Sequence, residues 1–257
     1  MTFSTPQPPG FSGGFLTPFR AVVFIARHPS LWPFCVAPFL INAAVIFLVW
    51  RWTGTVAAHW LAGHEPGTQW WWVAWLWVLK AGALLLRLII TLLSFVTVGN
   101  LAAIPFNDLL SERTDRLATG WRDTVAMTWG QWGRRQGLAA LQELKRLAIY
   151  VPTMVLLLVA AFIPLLAPLA FPAQIAASAV FFALDNFTYP LERRGTILLG
   201  RKMDFVRDNL PASLGFGVTM AFIGLVPLVN FVFLPLGVVG GTLLHGRLSP
   251  PAGPRAA

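Results

Sequence analysis

The chain has 257 residues, of which 56% are hydrophobic and only 11% are charged, and its mean hydropathy is +0.68. A soluble domain carries about 25% charged residues, so this composition excludes an ordinary soluble protein and indicates an integral membrane protein. The net charge is +9. Because the basic residues border apolar segments, membrane lipids or an anionic solute are better partners than nucleic acid. The single cysteine, Cys35, is expected to act as a small hydrophobe.

The first 30 residues divide into a tail, a short helix and a break. Residues 1–14 are rich in Pro, Gly and Ser, lack the regions of a cleaved signal peptide, and are expected to be a disordered tail. Residues 15–26 carry apolar side chains on one helical face, which predicts an interfacial helix. The sequence Arg27-His28-Pro29-Ser30 then predicts a break, with Ser30 as the N-cap of the first span.

Two long transmembrane helices are predicted next. Residues 31–50 form the first candidate, with Pro38 as the expected kink and Asn42 as a polar group to satisfy. The connection at 51–69 holds the polar residues Arg51, His59, His64 and Glu65. The second helix is expected to reach Ile104, a length of about 52 Å against a hydrocarbon core of about 30 Å, and it begins at an aromatic belt of Trp70, Trp71, Trp72, Trp75 and Trp77.

The stretch 99–116, GNLAAIPFNDLLSERTDR, separates this apolar run from the most charged part of the chain. Pro105 lacks an amide hydrogen, so it is expected to end the second helix. Asn107 is the predicted N-cap of a new helix, with Asp108 in its first turn. Residues 107–146 carry charges of both signs and are predicted to form cytoplasmic or interfacial helices.

Each of the two later apolar blocks predicts a helical hairpin that enters the membrane part way. Block 150–184 would have legs of about 13–16 residues, or about 20–24 Å, which do not cross about 30 Å of hydrocarbon, and its centre holds Pro164, Pro168 and Pro172. Block 211–244 has two similar legs around Pro227, Asn230 and Pro235. The alternative is that each block crosses the membrane twice, which gives six short spans in all. The topology does not reject this alternative, and leg length is the only argument against it.

The remaining segments set the expected domain and orientation. Residues 185–210 are predicted to be a polar loop, residues 247–257 a second disordered tail, and residues 15–246 a single membrane domain. Nearly all basic residues outside the apolar runs lie in the N-terminal segment, the 107–146 layer, the 185–210 loop and the tail. The positive-inside rule therefore predicts that these layers and both termini are cytoplasmic.

Several motifs, in the same order along the chain, resemble one known family. GNLAAIPFNDLLSE at 99–112 resembles the PFND signature of the CysZ-type sulfate permeases, the bacterial relatives of the etoposide-induced protein of animals. The likeness continues through FFALDNFTYPLERRG at 181–195, the apolar stretch 215–244 and, at the front, PFCVAPFLIN at 33–42. It covers the chain from about residue 15 to residue 244.

The resemblance implies an all-α integral membrane fold with two long transmembrane helices and two partially penetrating helical hairpins. It also implies sulfate uptake for cysteine synthesis across the bacterial inner membrane, without a nucleotide cofactor, by dimers or larger homo-oligomers. In the family, the turn before the first span carries a basic cluster associated with sulfate. Here Arg27 is present, and Trp32 and Pro33 stand where further basic residues are expected.

Three places are candidates for anion binding. Lys80 and Arg87 are seven residues apart on one face of the second helix, where cations would attract an anion; the alternative for Lys80 is that it snorkels to the headgroups. Arg27 and His28 precede a helix N-terminus, which favours an oxyanion, a lipid phosphate included. Asn230 would lie at a hairpin tip, where it binds the anion or caps the return leg. A structural role at the signature is predicted for Gly99, Asn100, Pro105, Phe106, Asn107 and Asp108.

No pattern in the sequence indicates an enzyme. The chain has no GxxxxGK[ST] loop for nucleotide phosphates, no Gly-x-Ser-x-Gly elbow, and no metal-ligand spacing among its four His and one Cys. No cofactor and no metal are expected. The leading hypothesis is a permease or channel for a small inorganic anion, with sulfate the leading solute. The alternative is a non-transporting membrane scaffold or membrane-shaping protein.

Overall fold

A computed structural model of the chain describes residues 9–63, 69–121, 129–224 and 230–249. The regular secondary structure of these ranges is entirely helical, which confirms the all-α prediction. They contain a short 3-10 turn at Pro29–Leu31 and nine α-helices: α1 Phe11–Phe15, α2 Thr17–Arg27, α3 Trp32–Ala62, α4 Trp70–Thr119, α5 Trp129–Ala161, α6 Ala167–Arg193, α7 Leu199–Asp208, α8 Leu210–Gly224 and α9 Asn230–Leu248.

Four helical stretches are long and apolar enough to cross a membrane. Their most apolar windows hold no buried residue in the first three stretches and few in the fourth. Apolar side chains on the outside of a protein need a solvent as apolar as themselves, which a lipid bilayer supplies. The described helices therefore support the integral membrane class, with candidate spans at Pro29–Ala62, Trp70–Phe95, Gly137–Ala161 and Ala167–Arg193.

The described helices fall into two compact units. One unit is Pro33–Phe106, formed by nearly all of α3 and the first part of α4. The other combines Met1–Trp32 with Asn107–Ala257, and its centre is α6, which packs against α5, α8 and α9. Phe187 of α6 and Phe216 of α8 are fully buried there, with ring centroids 5.9 Å apart.

The N-terminal helices α1 and α2 pack against the rest of this second unit. Helix α1 packs against α8 and α2 packs against α9. Helix α2 confirms the short helix predicted at 15–26, while α1 overlaps the predicted 1–14 tail. The break after Arg27 is confirmed, because His28 has a non-helical backbone and Pro29–Leu31 forms the 3-10 turn. Ser30 lies inside that turn, so the prediction that it is an N-cap is wrong.

Helix α4 corrects the predicted break at Pro105. It runs for 50 residues with Pro105 inside it, so Asn107 and Asp108 lie within a continuous helix and Asn107 is no N-cap. Proline removes one N–H from the helical ladder, but one missing bond does not end a helix when the turns on both sides remain helical. The residues change from apolar to charged at this point because the surroundings of the helix change, while the helix itself continues.

Two other predicted connections are also helical. Helix α3 continues to Ala62, so Arg51 and His59 belong to it, whereas His64 and Glu65 lie outside the described residues. The polar stretch 185–210 is not a loop: α6 extends to Arg193, and α7 follows. Polar residues suggest a helix end in each case, but solvated helix faces carry charges as readily as loops do.

The two legs of the first predicted hairpin are longer than predicted. Helices α5 and α6 pack together and are joined by residues 162–166, which include Pro164; Pro168 lies in the first turn of α6 and Pro172 lies inside it. The legs have 33 and 27 residues, so α6 is about 40 Å long. The leg-length reason for partial entry is therefore wrong for this pair, since both helices continue into the charged layers.

The second pair of legs is short, as predicted. Helix α8 has 15 residues and α9 has 19, so α8 measures about 22 Å, less than the hydrocarbon thickness of about 30 Å. Pro235 lies inside α9, while Pro227 lies outside the described residues. Asn230 begins α9, but its side chain is outside the described part, as are those at 98–104, including Asn100.

Helix α8 depends on a glycine for its contact with α6, which gives a test of this packing. A Cβ at Gly217 would lie 1.8 Å from the carbonyl oxygen of Ala179, so Gly217→Ala must push the helices apart. We expect Gly217→Ala to destabilise the protein by about 1–3 kcal/mol. Gly200→Ala is the matched control, because a Cβ at Gly200 meets nothing within 4 Å.

Thermal unfolding of the purified protein in detergent measures both variants. A lower melting temperature for Gly217→Ala, with Gly200→Ala at or above the wild type, is the expected result. Equal melting of the two variants would contradict the close α6–α8 contact.

Candidate functional site

Arg87 is fixed against α3 within the unit Pro33–Phe106. Its Nη2 donates to the backbone oxygen of Trp50 at 2.8 Å, and the guanidinium carbon lies 3.8 Å from the centroid of the Trp50 ring. Gly54, one turn further along α3, leaves room for this contact, because a Cβ there would lie 2.7 Å from Nη2. The guanidinium group is thus held by a carbonyl and an aromatic face, an arrangement in which Arg is favoured over Lys.

The charge of Arg87 has no carboxylate partner among the residues that the structure describes. Its Nε is buried and has no hydrogen-bond partner there. Arg87 also lines a cleft of about 590 Å³ between α3 and α4. The remaining lining is almost entirely apolar, and it includes Trp52, Val56, Trp60, Val78, Leu79 and Leu86. A full positive charge in apolar surroundings can attract an anion.

Lys80 is in a different environment from Arg87. It is exposed, its Nζ lies 5.4 Å from the centroid of the Trp77 ring, and it does not line the cleft. The stem of a lysine can run along apolar surface while the ammonium group stays in water. This position fits the snorkelling alternative, and an anion-binding role for Lys80 stays a prediction.

The turn after α2 offers fewer hydrogen-bond donors than its position suggests. Arg27 is exposed, and the Nδ1 of His28 lies 2.8 Å from the carbonyl oxygen of Phe24, to which it donates. The N–H groups of Leu31 and Trp32 donate to the carbonyl oxygens of His28 and Pro29, and Pro29 has no N–H. The oxyanion site at Arg27 and His28 stays a prediction, and the exposed side chain of Arg27 supplies its charge.

The signature residues connect α4 to α6. Asn107 is buried and its Nδ2 donates to the hydroxyl oxygen of Tyr189 at 3.3 Å. The Nη2 of Arg193 donates to the Asp108 backbone oxygen at 2.9 Å and to its carboxylate at 3.0 Å. The motif segments 99–112 and 181–195 are thus joined directly. The expected helix-to-surface turn is absent here, and Asn107 and Asp108 instead hold two helices together.

A second ion pair, more deeply buried, follows further along α4. Asp115 is fully buried, and the Nη2 of Arg194 lies 3.1 Å from each of its carboxylate oxygens. The hydroxyl of Thr119 donates to the same carboxylate at 3.0 Å. The Nη1 of Arg194 donates to the backbone oxygen of Ser249 at 2.9 Å, so this one side chain contacts both α4 and the residue that follows α9.

The sequence predicts that the charges at 185–194 pair with one another or with the 107–146 layer. This is confirmed for Arg193 and Arg194 by the pairs above, and for Asp185, whose carboxylate lies 2.6 Å from Arg146 Nη1. Arg146 also pairs with Glu143. Glu192 differs in part, since it pairs at 2.6 Å with Lys202 of α7, beyond the predicted layer.

Some functional contacts could not be found from the sequence. The role of Trp50 and Gly54 in holding Arg87 depends on how α3 and α4 align, and no local motif encodes that alignment. The bond between Ser111 and Thr242, at 2.8 Å, joins residues 131 positions apart. The buried His245, one of four scattered histidines, has no spacing signal in the sequence.

The family model described as "Sulfate transporter CysZ/Etoposide-induced protein 2.4" matches residues 17–235. This chain belongs to that family. The family comprises membrane transporters rather than enzymes, in agreement with the resemblance drawn from the motifs.

Curated relatives from two bacterial genera are similar over most of their length. "Sulfate transporter CysZ" of Pseudomonas aeruginosa (strain LESB58) is 27% identical over 223 residues, covering 87% of this chain and 90% of the relative. The protein of the same name from Pectobacterium atrosepticum is 27% identical over 223 residues, covering 84% and 78%. Identity of 27% agrees with membership of the same family, but it does not identify which residues of this chain form a site.

The buried pair gives a test of the link between α4 and α6. Asp115→Asn leaves Arg194 buried without its counter-charge, so we expect a loss of about 3–5 kcal/mol in stability. Glu112→Gln is the matched control, because Glu112 pairs with Arg116 at a more exposed place on the same helix, where a pair contributes about 0–1 kcal/mol.

The melting temperatures of both variants in detergent provide the measurement. We expect a large decrease for Asp115→Asn and almost none for Glu112→Gln. If Asp115→Asn melts with the wild type, the pair does not stabilise this unit.

Proposed function

We propose that this protein is a sulfate permease of the bacterial inner membrane, working without ATP hydrolysis and supplying sulfate for cysteine synthesis. Family membership, the candidate spans and the names of the relatives support this proposal. The observation that carries it for this chain is Arg87, a cation within the span Trp70–Phe95 that has no carboxylate partner among the described residues.

Sulfate suits the chemistry of Arg87. A charged side chain inside a bilayer costs several kcal/mol unless it has a partner, and a sulfate ion supplies negative charge and hydrogen-bond acceptors for a guanidinium group. The carbonyl and ring of Trp50 hold the guanidinium without neutralising it. Because Nη2 already donates to Trp50, this single guanidinium group offers an anion few hydrogen bonds, and it can attract the anion and release it again, as conduction requires.

The proposed architecture keeps part of the predicted hairpin scheme. Helices α3 and α4 cross the membrane, while α8 and α9 enter part way and return, which the length of α8, about 22 Å, supports. The same partial entry is proposed for α5 and α6 on family resemblance, without the leg-length argument. The basic layers and both termini are cytoplasmic in this scheme, and the protein works as a homo-oligomer of two or more copies.

Flux through proteoliposomes tests the role of Arg87. We expect the wild type to take up labelled sulfate well above empty vesicles, and Arg87→Ala to lower the rate at least about tenfold, the loss of about 1.4 kcal/mol of charge interaction. Lys80→Ala compares an exposed cation of the same helix. If Lys80 snorkels, the rate should stay within about twofold of the wild type, and a loss as large as that of Arg87→Ala would give Lys80 a part in anion binding.

Three outcomes decide between the possibilities. Wild-type flux no higher than in empty vesicles would contradict the transport proposal. Normal flux in Arg87→Ala would remove Arg87 from the path, and an Arg27→Ala loss in the same experiment would move the anion site to the turn after α2. Melting temperatures of all variants separate lost flux from lost folding.

A non-transporting membrane-shaping protein is the second candidate, favoured by α1 and α2. Their apolar side chains Phe11, Phe15, Phe19, Val22 and Val23 are exposed, as in helices that lie in one leaflet of a membrane. In that case the purified protein should deform anionic liposomes while Phe19→Glu, on the exposed face, abolishes the effect. Sulfate flux that survives Phe19→Glu, with no deformation of vesicles by the wild type, excludes this role.

A further inference from the structure

The cleft between α3 and α4 is long and apolar, and it carries charge at one end only. Its lining residues on α3 run at helical spacing from Trp52 to Trp60, a length of about 12 Å, and those on α4 run from Val78 to Ile90, about 18 Å. This spacing places them on one face of each helix. The cleft is therefore an elongated groove that follows the two helix axes, with a volume of about 590 Å³.

Arg87 is the one charged residue among the described residues that line this groove. It is half-buried and lies near one end, because only Ile90 of the α4 lining lies beyond it. Its guanidinium carbon lies 3.8 Å from the centroid of the Trp50 ring, at the same end of the α3 lining. The hydroxyl of Thr53, also in the lining, already donates at 2.7 Å to a backbone oxygen one turn earlier in α3. Positive charge at one end is therefore followed by an apolar length that ends at Trp60.

This distribution of charge matches an amphiphile better than a small ion. An inorganic anion would use only the charged end of the groove and leave its apolar length to another molecule. Lipid tails are as apolar as the walls of the groove, so a chain gains little merely by leaving the bilayer for it. The charge of Arg87 then decides which chain binds. A ligand with an anionic head and one alkyl chain satisfies both ends.

The depth of Arg87 favours a carboxylic acid over a phospholipid as this ligand. The distance along α4 from Arg87 to Phe95, the nearer end of the candidate span, is about 12 Å, which places Arg87 beneath the headgroup layer. A phosphodiester keeps its charge and stays in that layer. A carboxylic acid becomes neutral where water is excluded, so it can reach this depth, and a neighbouring guanidinium ion then favours its charged form.

We propose that the groove between α3 and α4 binds a long-chain fatty acid. Its carboxylate lies at the guanidinium group of Arg87, and its chain follows the groove toward Trp60 and Val78. The ligand enters sideways from the bilayer, since many lining side chains are exposed, among them Trp52, Val56, Trp60, Val78 and Leu86. A carboxylate at Arg87 would also exclude sulfate and slow its flux, and this consequence alone rests on the proposed function.

Photo-labelling of the full-length protein in phosphatidylcholine vesicles tests the site. The probe is palmitic acid with a diazirine near the end of its chain, and mass spectrometry locates the labelled residues. We expect labels to concentrate on 56–60 of α3 and 78–83 of α4, and unlabelled palmitate to compete. The methyl ester, the alkylamine and a phosphatidylglycerol that carries the same photoreactive chain should each label these residues at least about tenfold less, because they lack a carboxylate that can pair with Arg87.

Two variants test the two ends of the groove separately. Arg87→Gln removes the charge, and Ala83→Phe fills the apolar part while the charge remains; each should lower the labelling at least about tenfold. Their matched controls are Lys80→Gln and Ala81→Phe, which make the same kinds of change at exposed positions of α4 outside the groove. Both controls should be labelled as the wild type is, and the melting temperatures of all four variants show which of them are folded.

Three results would overturn the proposal. The first is equal labelling of the groove by the methyl ester or the phosphatidylglycerol. The second is wild-type labelling of folded Arg87→Gln or Ala83→Phe, and the third is label spread evenly over all lipid-exposed helices. Since labelling is measured without sulfate and without flux, its failure leaves the transport proposal standing, and failure of transport leaves this site standing.

Discussion

Two ion pairs that join α4 to the end of α6, of which Asp115–Arg194 is the buried one, are the constraint on which the second unit depends. Apolar helix faces gain nothing by meeting one another in lipid, where the tails are as apolar as Leu. Close packing and polar contacts must then determine which helices pack against each other. Asp108–Arg193 and Asp115–Arg194 supply such contacts along α4, and the Nη1 of Arg194 extends the second pair to Ser249 after α9. Helices distant in sequence are thereby held in one arrangement.

The presence or absence of a carboxylate partner also distinguishes Arg193 and Arg194, which have structural roles, from Arg87, the candidate for anion binding. Arg193 and Arg194 each have a carboxylate within 3.1 Å, so their charge is used within the protein. Arg87 is held by a carbonyl and a ring, neither of which removes its charge. An anion passing through the membrane region is attracted to a charge that is positioned but not neutralised.

Composition and hydropathy are enough to predict an all-α membrane protein, because apolar runs long enough to span a bilayer are rare in soluble proteins. Helix ends are harder to predict. Pro105 and the polar residues at 185–193 suggest boundaries, yet α4 and α6 run through them. One proline removes a single N–H from the helical ladder, and solvated helix faces carry charges as readily as loops do. The pairing of charges at 185–194 is largely predictable from opposite signs in two segments. The Trp50–Arg87 contact and the burial of His245 are not, because both depend on helix register.

A double-mutant cycle on Asp115 and Arg194 tests the central claim most directly. The free energy of unfolding in mixed detergent micelles is measured for the wild type, Asp115→Ala, Arg194→Ala and the double variant. We expect a coupling energy of at least about 1.5 kcal/mol, with the double variant more stable than the sum of the single losses implies. Losses that add to within about 0.5 kcal/mol would mean that the two residues do not stabilise each other, and the link between α4 and α6 would have to be sought elsewhere.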